Sequence, residues 1–349
     1  MTQPKIAANH ANVHELAAEL ALSDEAYQRA LVIANLTPDK NAWLQYINHF
    51  LMAVGTALIV AGITAFFAWN WADLGHMQKF ALIEFGIVAS VVAAWRFGID
   101  SIPGGASLFA SAFLVGVLFA VFGQVYQTGA DPYGLFLSWA ILILPWAVIG
   151  RQQGMWMLFV ILLNLSLIMF WTQVLAPPEG WWQLAQMLGP IVWLGSLFTD
   201  SQLSAAVFFL NAIAVVVWEA IAIRGIAWMQ GRWFVRIAVM IALVTVASPT
   251  LLIILAGAFG EKLGLSLLSP LLLGIATAGC VYYYQFRQHD LFILTCCLLA
   301  GIMVVTSYAV RIVADDFASL LFLAMLLIGQ VAAAAYWLRG VARRWEEVA

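Results

Sequence analysis

The feature that most constrains this chain is the recurrence of long apolar runs. A helix that crosses the hydrocarbon core of a bilayer needs about 20 mostly apolar residues. Runs of about that length cover 50–69, 80–98, 105–124, 133–150, 154–174, 203–222, 237–257, 264–284, 291–310 and 317–338. The pattern predicts an all-α fold, a polytopic transmembrane helix bundle with about ten spans.

The composition agrees with a surface that faces lipid. The chain is 64% hydrophobic and only 9% charged, whereas a soluble globular chain carries about 25% charged residues. So few charges cannot cover a water-exposed surface, and the lipid bilayer is therefore the first predicted partner. The net charge of -3 argues against a nucleic-acid partner, which would require a basic face.

Residues 1–48 have no apolar core of the kind found in a cleaved signal peptide. The segment instead indicates short soluble helices, and the first apolar run would then act as an uncleaved anchor. Ser23 is predicted to cap a helix that begins with Asp24 and Glu25, because the helix dipole favours acids in the first turn. We expect a short cytosolic helical leader.

The distribution of lysine and arginine predicts the orientation, because basic residues favour the cytoplasmic side of short loops. With ten crossings and the N-terminus inside, twelve of the 15 basic residues lie in the cytoplasm. An additional crossing at 182–199 would leave only about half of them there. We therefore predict that both termini are cytoplasmic and that 182–199 is a re-entrant or interfacial element, which must be covered by protein or line a wet cavity.

Two stretches carry a recognisable motif. The first apolar run ends in Asn70-Trp71, and a later segment reads GQVYQTGAD from Gly123 to Asp131, followed by Leu144-Pro145-Trp146. Together they resemble the DUF2157 family of predicted bacterial membrane proteins, over roughly the first 160 residues. The resemblance implies the inner (plasma) membrane of a bacterium and supplies no activity. It divides the chain into the leader (1–48), a four-span module (49–151) and a second membrane half of six spans (152–349).

Polar residues gather at one predicted membrane face. The segments AWNWADL and GQVYQTGADPYGLF both fall on the extracytoplasmic side of the predicted topology. Side-chain amides and carboxylates at a membrane edge can bind a polar ligand. The candidate binding residues are Asn70, Asp73, Glu84, Gln124, Tyr126, Gln127 and Asp131. The alternative is a hydrogen-bonded hairpin in which Asp131 caps the helix that Pro132 begins.

Glu84 is the member of this set that lies inside a span. An ionisable residue within a span is a functional hypothesis, because its burial in lipid is costly. Glu84 could bind a cation, relay a proton, or pair with Lys79 or Arg311. The alternative is a carboxylate that reaches the interface or a neighbouring helix.

Other intramembrane residues favour structural roles. Asn164, Asn211 and Gln330 lie near the middle of their spans, where amides usually form hydrogen bonds between helices. Small residues at every fourth position of the third span indicate a helix contact. Glu219, near Arg224, is interpreted as an interfacial anchor.

Motifs for catalysis, metals or cofactors are not apparent. Cys280, Cys296 and Cys297 all lie in apolar runs without metal-binding spacing, so neither a disulfide nor a zinc site is predicted. No nucleotide-binding or hydrolase motif is present. We expect no metal and no cofactor, and a non-enzymatic role is favoured.

Two functions remain open. One is binding or transport of a small molecule or ion through the outer-face polar residues. The other is a non-catalytic assembly or accessory protein that docks a membrane-protein partner or a second copy of itself.

Overall fold

The computed structural model describes residues 10–34, 43–48, 50–51, 54–55, 58, 62, 65, 73–126, 131–175, 200–256, 267–313 and 317–348. Every regular element in this part of the chain is helical, so the predicted all-α fold is confirmed. The chain divides into two compact units, Met1–Gly75 and His76–Ala349. Each unit is described below by itself.

Two short helices are described with their bounds in the first unit, α1 (His10–Glu19) and α2 (Asp24–Ile33), and the described residues between 43 and 65 are helical as well. The predicted cap of α2 is confirmed, because Ser23 Oγ accepts a hydrogen bond from the backbone N–H of Ala26 at 3.4 Å. The ring of His14 on α1 packs edge-on against Tyr27 on α2, with 5.7 Å between ring centroids.

The second unit consists of long helices joined mostly by short connections. They are α3 (His76–Phe97), α4 (Ile102–Tyr126), α5 (Pro132–Gly150), α6 (Gln153–Phe170), α7 (Ser201–Ala222), α8 (Trp233–Ala256), α9 (Leu268–Phe286), α10 (Leu291–Val313) and α11 (Phe317–Val348). A π-helical turn, Trp171–Leu175, extends α6, and a 3-10 turn, Ala227–Met229, lies between α7 and α8.

Eight helices among the described residues are long and apolar enough to cross a bilayer, namely α3 to α8, α10 and α11. Helix α9 has 19 residues and coincides with a predicted span, but its last turns contain three tyrosines and a glutamine that make it less apolar. The predicted span at 50–69 lies largely outside the described residues, and 182–199 lies wholly outside them. The number of about ten crossings therefore stays a prediction.

Helix α8 lies at the centre of the second unit. It packs against α6, α7, α9 and α10. In its most apolar stretch of 18 residues, 56% of the residues are buried, the largest share among the eight helices. Consecutive helices also pack against one another, as α3 does with α4 and α5 with α6. Up-and-down packing of this kind is expected when apolar helices are joined by short loops.

Close packing of α4 against α5 depends on a glycine. A methyl group added at Gly116 would lie 2.3 Å from the ring of Trp139, so no larger residue fits without movement of that ring. The Trp139 ring is held there by its Nε1–H, which donates to the backbone oxygen of Ala112 at 2.9 Å. The predicted small-residue contact of the third span is therefore confirmed at these two positions.

The second unit has two ends, each named here for one residue. The Tyr126 end is where α3 begins, α4 ends and α5 begins. The Asp290 end is where α3 is joined to α4, α7 to α8 and α9 to α10. The Asp290 end is also linked to the start of α6, because Gln153 Nε2 donates to the backbone oxygen of Trp228 at 3.2 Å.

Candidate functional site

An aromatic cluster joins α3 to α4 at the Tyr126 end. The ring of Tyr126 stacks on that of Phe80, with 6.1 Å between centroids and 21° between planes. The ring centroid of Phe122 lies 4.7 Å from that of Tyr126 and 6.4 Å from that of Phe80. The first turns of α3 and the last turns of α4 therefore meet at one end of the bundle.

The described candidate binding residues of the second unit's loops are exposed at this end. Gln124 and Tyr126 lie in the last turn of α4, and Asp131 precedes α5. Asp73 is exposed as well, but it belongs to the first unit. Asn70 and Gln127 lie outside the described residues. The structure thus brings Gln124, Tyr126 and Asp131 to the same end of the bundle without assigning them a ligand.

Asp131 does not act as the predicted side-chain cap. It occupies the N-cap position of α5 with Pro132 next to it, but its side chain makes no capping hydrogen bond. The backbone oxygen of Asp131 instead accepts from the N–H of Gly134 at 2.9 Å. The predicted side-chain cap is therefore wrong, and residues 127–130 of the predicted hairpin lie outside the described residues.

Glu84 lies on the exposed face of α3. It follows His76 by eight residues, or about 12 Å along the helix axis. Its side chain is exposed beside Phe85 and Val88, which are 72% and 60% exposed. Because residues four apart share a helix face, Glu84 is one turn from Phe80 and its aromatic cluster.

The predicted partner Arg311 is engaged elsewhere. Its Nη1 donates to the backbone oxygen of Ile254 at 2.8 Å and so satisfies a carbonyl in the last turn of α8. Such a contact is typical of a cation at a helix C-terminus. The ion pairs formed among the described residues do not include Glu84.

A reciprocal amide pair joins α6 to α7 inside the bundle. Asn211 Nδ2 donates to Asn164 Oδ1 at 2.8 Å, and Asn164 Nδ2 donates to Asn211 Oδ1 at 3.4 Å. Each Nδ2 also donates to a carbonyl of its own helix, at Val160 and Val207. The predicted interhelical role is confirmed for this pair, and for Gln330, whose Nε2 donates to Thr306 Oγ1 at 3.3 Å.

A network of charged side chains lies at the Asp290 end. Arg232 Nη2 is 2.8 Å from Glu219 Oε1, and Arg232 Nε donates to Asp290 Oδ2 at 3.2 Å. Arg236 Nε donates to the same Oδ2 at 3.0 Å. Tyr284 completes the network, since its hydroxyl donates to Glu219 Oε1 at 2.9 Å.

The network ties four helices together. Glu219 belongs to α7, Arg236 to α8 and Tyr284 to α9, while Asp290 precedes α10. Asp290 also caps α10, because its Oδ1 accepts from the backbone N–H of Phe292 at 3.1 Å. Two acids and two arginines balance one another, which is how buried charges are tolerated.

The environment of Arg232 shows opposing effects on its protonation. Burial by itself would lower the pKa of Arg232, but the hydrogen bond and the negative charge of Glu219 outweigh it, and the net pKa is raised. Arg232 therefore remains the charged centre that both carboxylates share.

Sequence reasoning missed this network. Glu219 is not an interfacial anchor near Arg224, because it is 5% exposed and pairs with Arg232 and Tyr284. The sequence feature that could have indicated the network was the spacing of Arg232 and Arg236, which lie one turn apart at the start of α8. Nothing in the sequence places Asp290 opposite them, because the α7–α8 and α9–α10 connections meet only in the folded chain.

The comparison with known families supports the resemblance found in the sequence. Residues 14–156 match the family model described as "Predicted membrane protein (DUF2157)". The match covers the part of the chain that carries the Asn-Trp and GQ-x-YQTGAD motifs. No curated protein and no solved structure matches the chain significantly.

Proposed function

We propose that this multi-pass membrane protein binds a small organic cation at the Tyr126 end, with Glu84 as the counter-charge. The observation that carries the proposal is an exposed carboxylate, Glu84, one helical turn from Phe80, whose ring clusters with those of Phe122 and Tyr126. Alkylammonium ions are recognised by this combination, because the negative face of an aromatic ring attracts a cation and a carboxylate neutralises its charge.

The surroundings of Glu84 add a second argument. A carboxylate exposed among apolar side chains of a candidate span is costly in lipid, by about 2.5–3.5 kcal/mol at the centre of a helix on insertion scales and less near an interface. A bound cation would offset that cost. Asp131 is exposed at the same end, where its charge would raise the local concentration of cations.

Equilibrium binding to the purified, detergent-solubilised chain tests the proposal. The probe is radiolabelled tetraethylammonium, measured against the unlabelled ion. Glu84→Gln keeps the shape and removes the charge, and we expect affinity to fall at least about tenfold, which corresponds to about 1.4 kcal/mol. Tyr126→Ala removes one ring, and we expect a loss of about two- to thirtyfold, given the usual strength of a cation–π contact.

The matched control is Asp100→Asn, because Asp100 is an exposed acid at the opposite end of α3. Its affinity should equal that of the wild type. Unchanged binding in Glu84→Gln, or no saturable binding to the wild-type chain, would contradict the proposal. Uptake of the same probe into liposomes that contain the protein would extend the function from binding to transport.

The accessory hypothesis makes a different prediction for the same variants. If the chain docks a membrane-protein partner through α3, a stoichiometric partner should co-purify in mild detergent and should be lost from Glu84→Gln. A partner retained by Glu84→Gln together with cation binding lost from it would favour the binding function.

A further inference from the structure

Helix α11 extends past the apolar part of the bundle at the Asp290 end. It contains 32 residues and is therefore about 48 Å long, whereas the hydrocarbon core of a bilayer is about 30 Å thick. The last turns, 339–348, are named here the α11 tail, and they reach the level of the lipid headgroups. The tail contains three arginines and two glutamates, namely Arg339, Arg343, Arg344, Glu346 and Glu347. Its side chains therefore carry a net positive charge.

The α11 tail is bound to the end of α9. Trp345 Nε1 donates to the backbone oxygen of Gln285 at 3.1 Å. The ring of Trp345 also stacks on that of His289, with 4.7 Å between centroids and 25° between planes. One turn earlier in the tail, Val341 is only 1% exposed. The tail is therefore held against the connection between α9 and α10, and its arginines stay close to the ends of these two helices.

An apolar groove lies between α9 and α10 on the exposed surface of the bundle. It has a volume of about 490 Å³ and is lined by residues that include Thr277, Ala278, Val281, Tyr282, Phe286 and Leu298. Along α9, the distance from Thr277 to Phe286 is about 14 Å, since an α-helix rises about 1.5 Å per residue. Tyr282 and Phe286 are 64% and 62% exposed. Two aromatic rings therefore face lipid near the Asp290 end, as in the aromatic belt of membrane proteins.

The contact of the tail with α9 brings Arg344 to the mouth of this groove. Arg344 is the neighbour of Trp345 in the chain, and the residue that Trp345 binds, Gln285, immediately precedes Phe286 of the groove lining. Arg344 is exposed, and its Nε donates to the backbone oxygen of Gly340 at 3.2 Å. The ion pairs among the described residues do not include Arg344. Its two Nη groups can therefore donate to the oxygens of a phosphate, which guanidinium groups bind well.

We propose that one anionic phospholipid occupies this groove, with an acyl chain against Tyr282 and Phe286 and its phosphate bound by Arg344. Polarity and charge together identify this occupant. The groove is apolar and opens to lipid, while the arginines of the tail attract a negative headgroup and repel the ammonium group of a zwitterionic one. Basic sites between membrane helices bind anionic headgroups for this reason. The proposal does not depend on the cation site at the Tyr126 end.

Native mass spectrometry of the full-length chain in detergent tests the proposal with two lipids that have the same acyl chains. They are dioleoyl phosphatidylglycerol, which is anionic, and dioleoyl phosphatidylcholine, which is zwitterionic. For the first bound lipid, we expect the wild type to favour phosphatidylglycerol by about fivefold, which corresponds to about 1 kcal/mol for one arginine. Arg344→Gln should abolish this preference, whereas Arg344→Lys keeps the charge and should retain most of it.

The matched control for the charge is Arg96→Gln. Arg96 is also exposed at the Asp290 end and follows an exposed tryptophan, Trp95, but it belongs to α3, which packs against α4. This variant should favour phosphatidylglycerol as strongly as the wild type does. Equal losses of the preference in Arg344→Gln and Arg96→Gln would indicate a diffuse basic surface and would overturn the proposed site.

A second pair of variants tests the place of the acyl chain. Ala278→Trp puts a large ring into the groove at an exposed position, and we expect the tightest binding event to be lost for both lipids. Leu271→Trp is the control, because Leu271 is 60% exposed on the same helix, two turns away, and does not line the groove. Unchanged binding in Ala278→Trp, or equal binding of the two lipids to the wild type, would overturn the proposal.

Discussion

Asn211 on α7 and Asn164 on α6 exchange side-chain hydrogen bonds inside the bundle, at 2.8 and 3.4 Å. Residue Asn211 is fully buried and Asn164 is 9% exposed. The pair therefore holds two spans together in a region where neither amide has an alternative partner in water. Its energetic contribution can be measured.

We predict that the two asparagines are energetically coupled. Asn211→Leu leaves Asn164 without one donor, and the double change to leucine removes both polar groups together. The coupling free energy should be about 0.6–1.7 kcal/mol, the range found for hydrogen bonds between membrane helices. Unfolding by SDS titration in mixed micelles measures it through a double-mutant cycle. Additive effects of the two single changes would show that the pair is not a stabilising contact.

Replacement by a charge gives a sharper contrast at the same position. Asn211→Asp keeps the size of the side chain but places a carboxylate within the span. Asn211→Asp should lower the unfolding free energy more than Asn211→Leu does, because a charge at mid-membrane costs about 2.5–3.5 kcal/mol on insertion scales.

Asp290 allows charge and helix capping to be separated. Asp290→Asn removes the pairing with Arg232 and Arg236 but keeps an acceptor for the N–H of Phe292. We expect a loss of about 1–3 kcal/mol of unfolding free energy, less than for a fully buried pair because the arginine side chains are 21% and 41% exposed. Asp290→Ala should cost about 1 kcal/mol more through loss of the cap.

The control for Asp290 is the exposed pair of Glu25 and Arg29, whose side chains are 79% and 75% exposed. Glu25→Gln should leave thermal unfolding in detergent unchanged, because solvent screens such pairs. Equal destabilisation by Asp290→Asn and Glu25→Gln would contradict the structural role of the network.

Gly116 and Gly123 provide a matched pair within α4. Gly116→Ala places a methyl group against the Trp139 ring and should destabilise the protein by about 1–3 kcal/mol, as overpacking does. Gly123→Ala meets no atom within 4 Å and should be neutral or stabilising by up to about 1 kcal/mol, because alanine favours helix. Thermal unfolding of both variants in the same detergent measures the difference in stability. Similar behaviour would mean that α4 and α5 are not in this close contact.

The predicted orientation can be tested with two exposed aspartates at opposite ends. Asp131→Cys should react with a membrane-impermeant maleimide in intact cells, whereas Asp100→Cys should react only after the membrane is permeabilised. The physical reason is the bias of basic residues, which predicts that the Asp290 end lies in the cytoplasm. The reverse labelling pattern would overturn the assigned sidedness and the outer location of Glu84.

Much of the architecture was predictable because lipid imposes strong local rules. A backbone in hydrocarbon must satisfy its own hydrogen bonds, so each apolar run of sufficient length becomes a helix. The structure places α3 to α10 within a few residues of the corresponding predicted spans, whereas α11 begins as predicted but continues to Val348, beyond the predicted end at 338. The cap at Ser23 was predictable for a similar reason, since a hydroxyl three residues before an N–H bonds it within a single turn.

The candidate site was predictable only in part. Alternation of the spans predicted that Gln124 and Asp131 lie at one end, because each crossing reverses direction. The aromatic cluster of Phe80, Phe122 and Tyr126 was not predicted, since it depends on the rotation of α3 against α4. Hydropathy fixes that a helix crosses the membrane but leaves its rotation about its own axis undetermined.

The sequence by itself determined that the chain forms apolar helices, roughly where each begins and ends, and which charges stand at their ends. Only the tertiary structure decided which of those groups meet. Asp290 lies 58 residues after Arg232 in the chain, and the two side chains meet only because the helices pack together. The physical reason is that local composition governs helix formation in lipid, whereas contacts between helices arise from side-chain packing over long sequence separations.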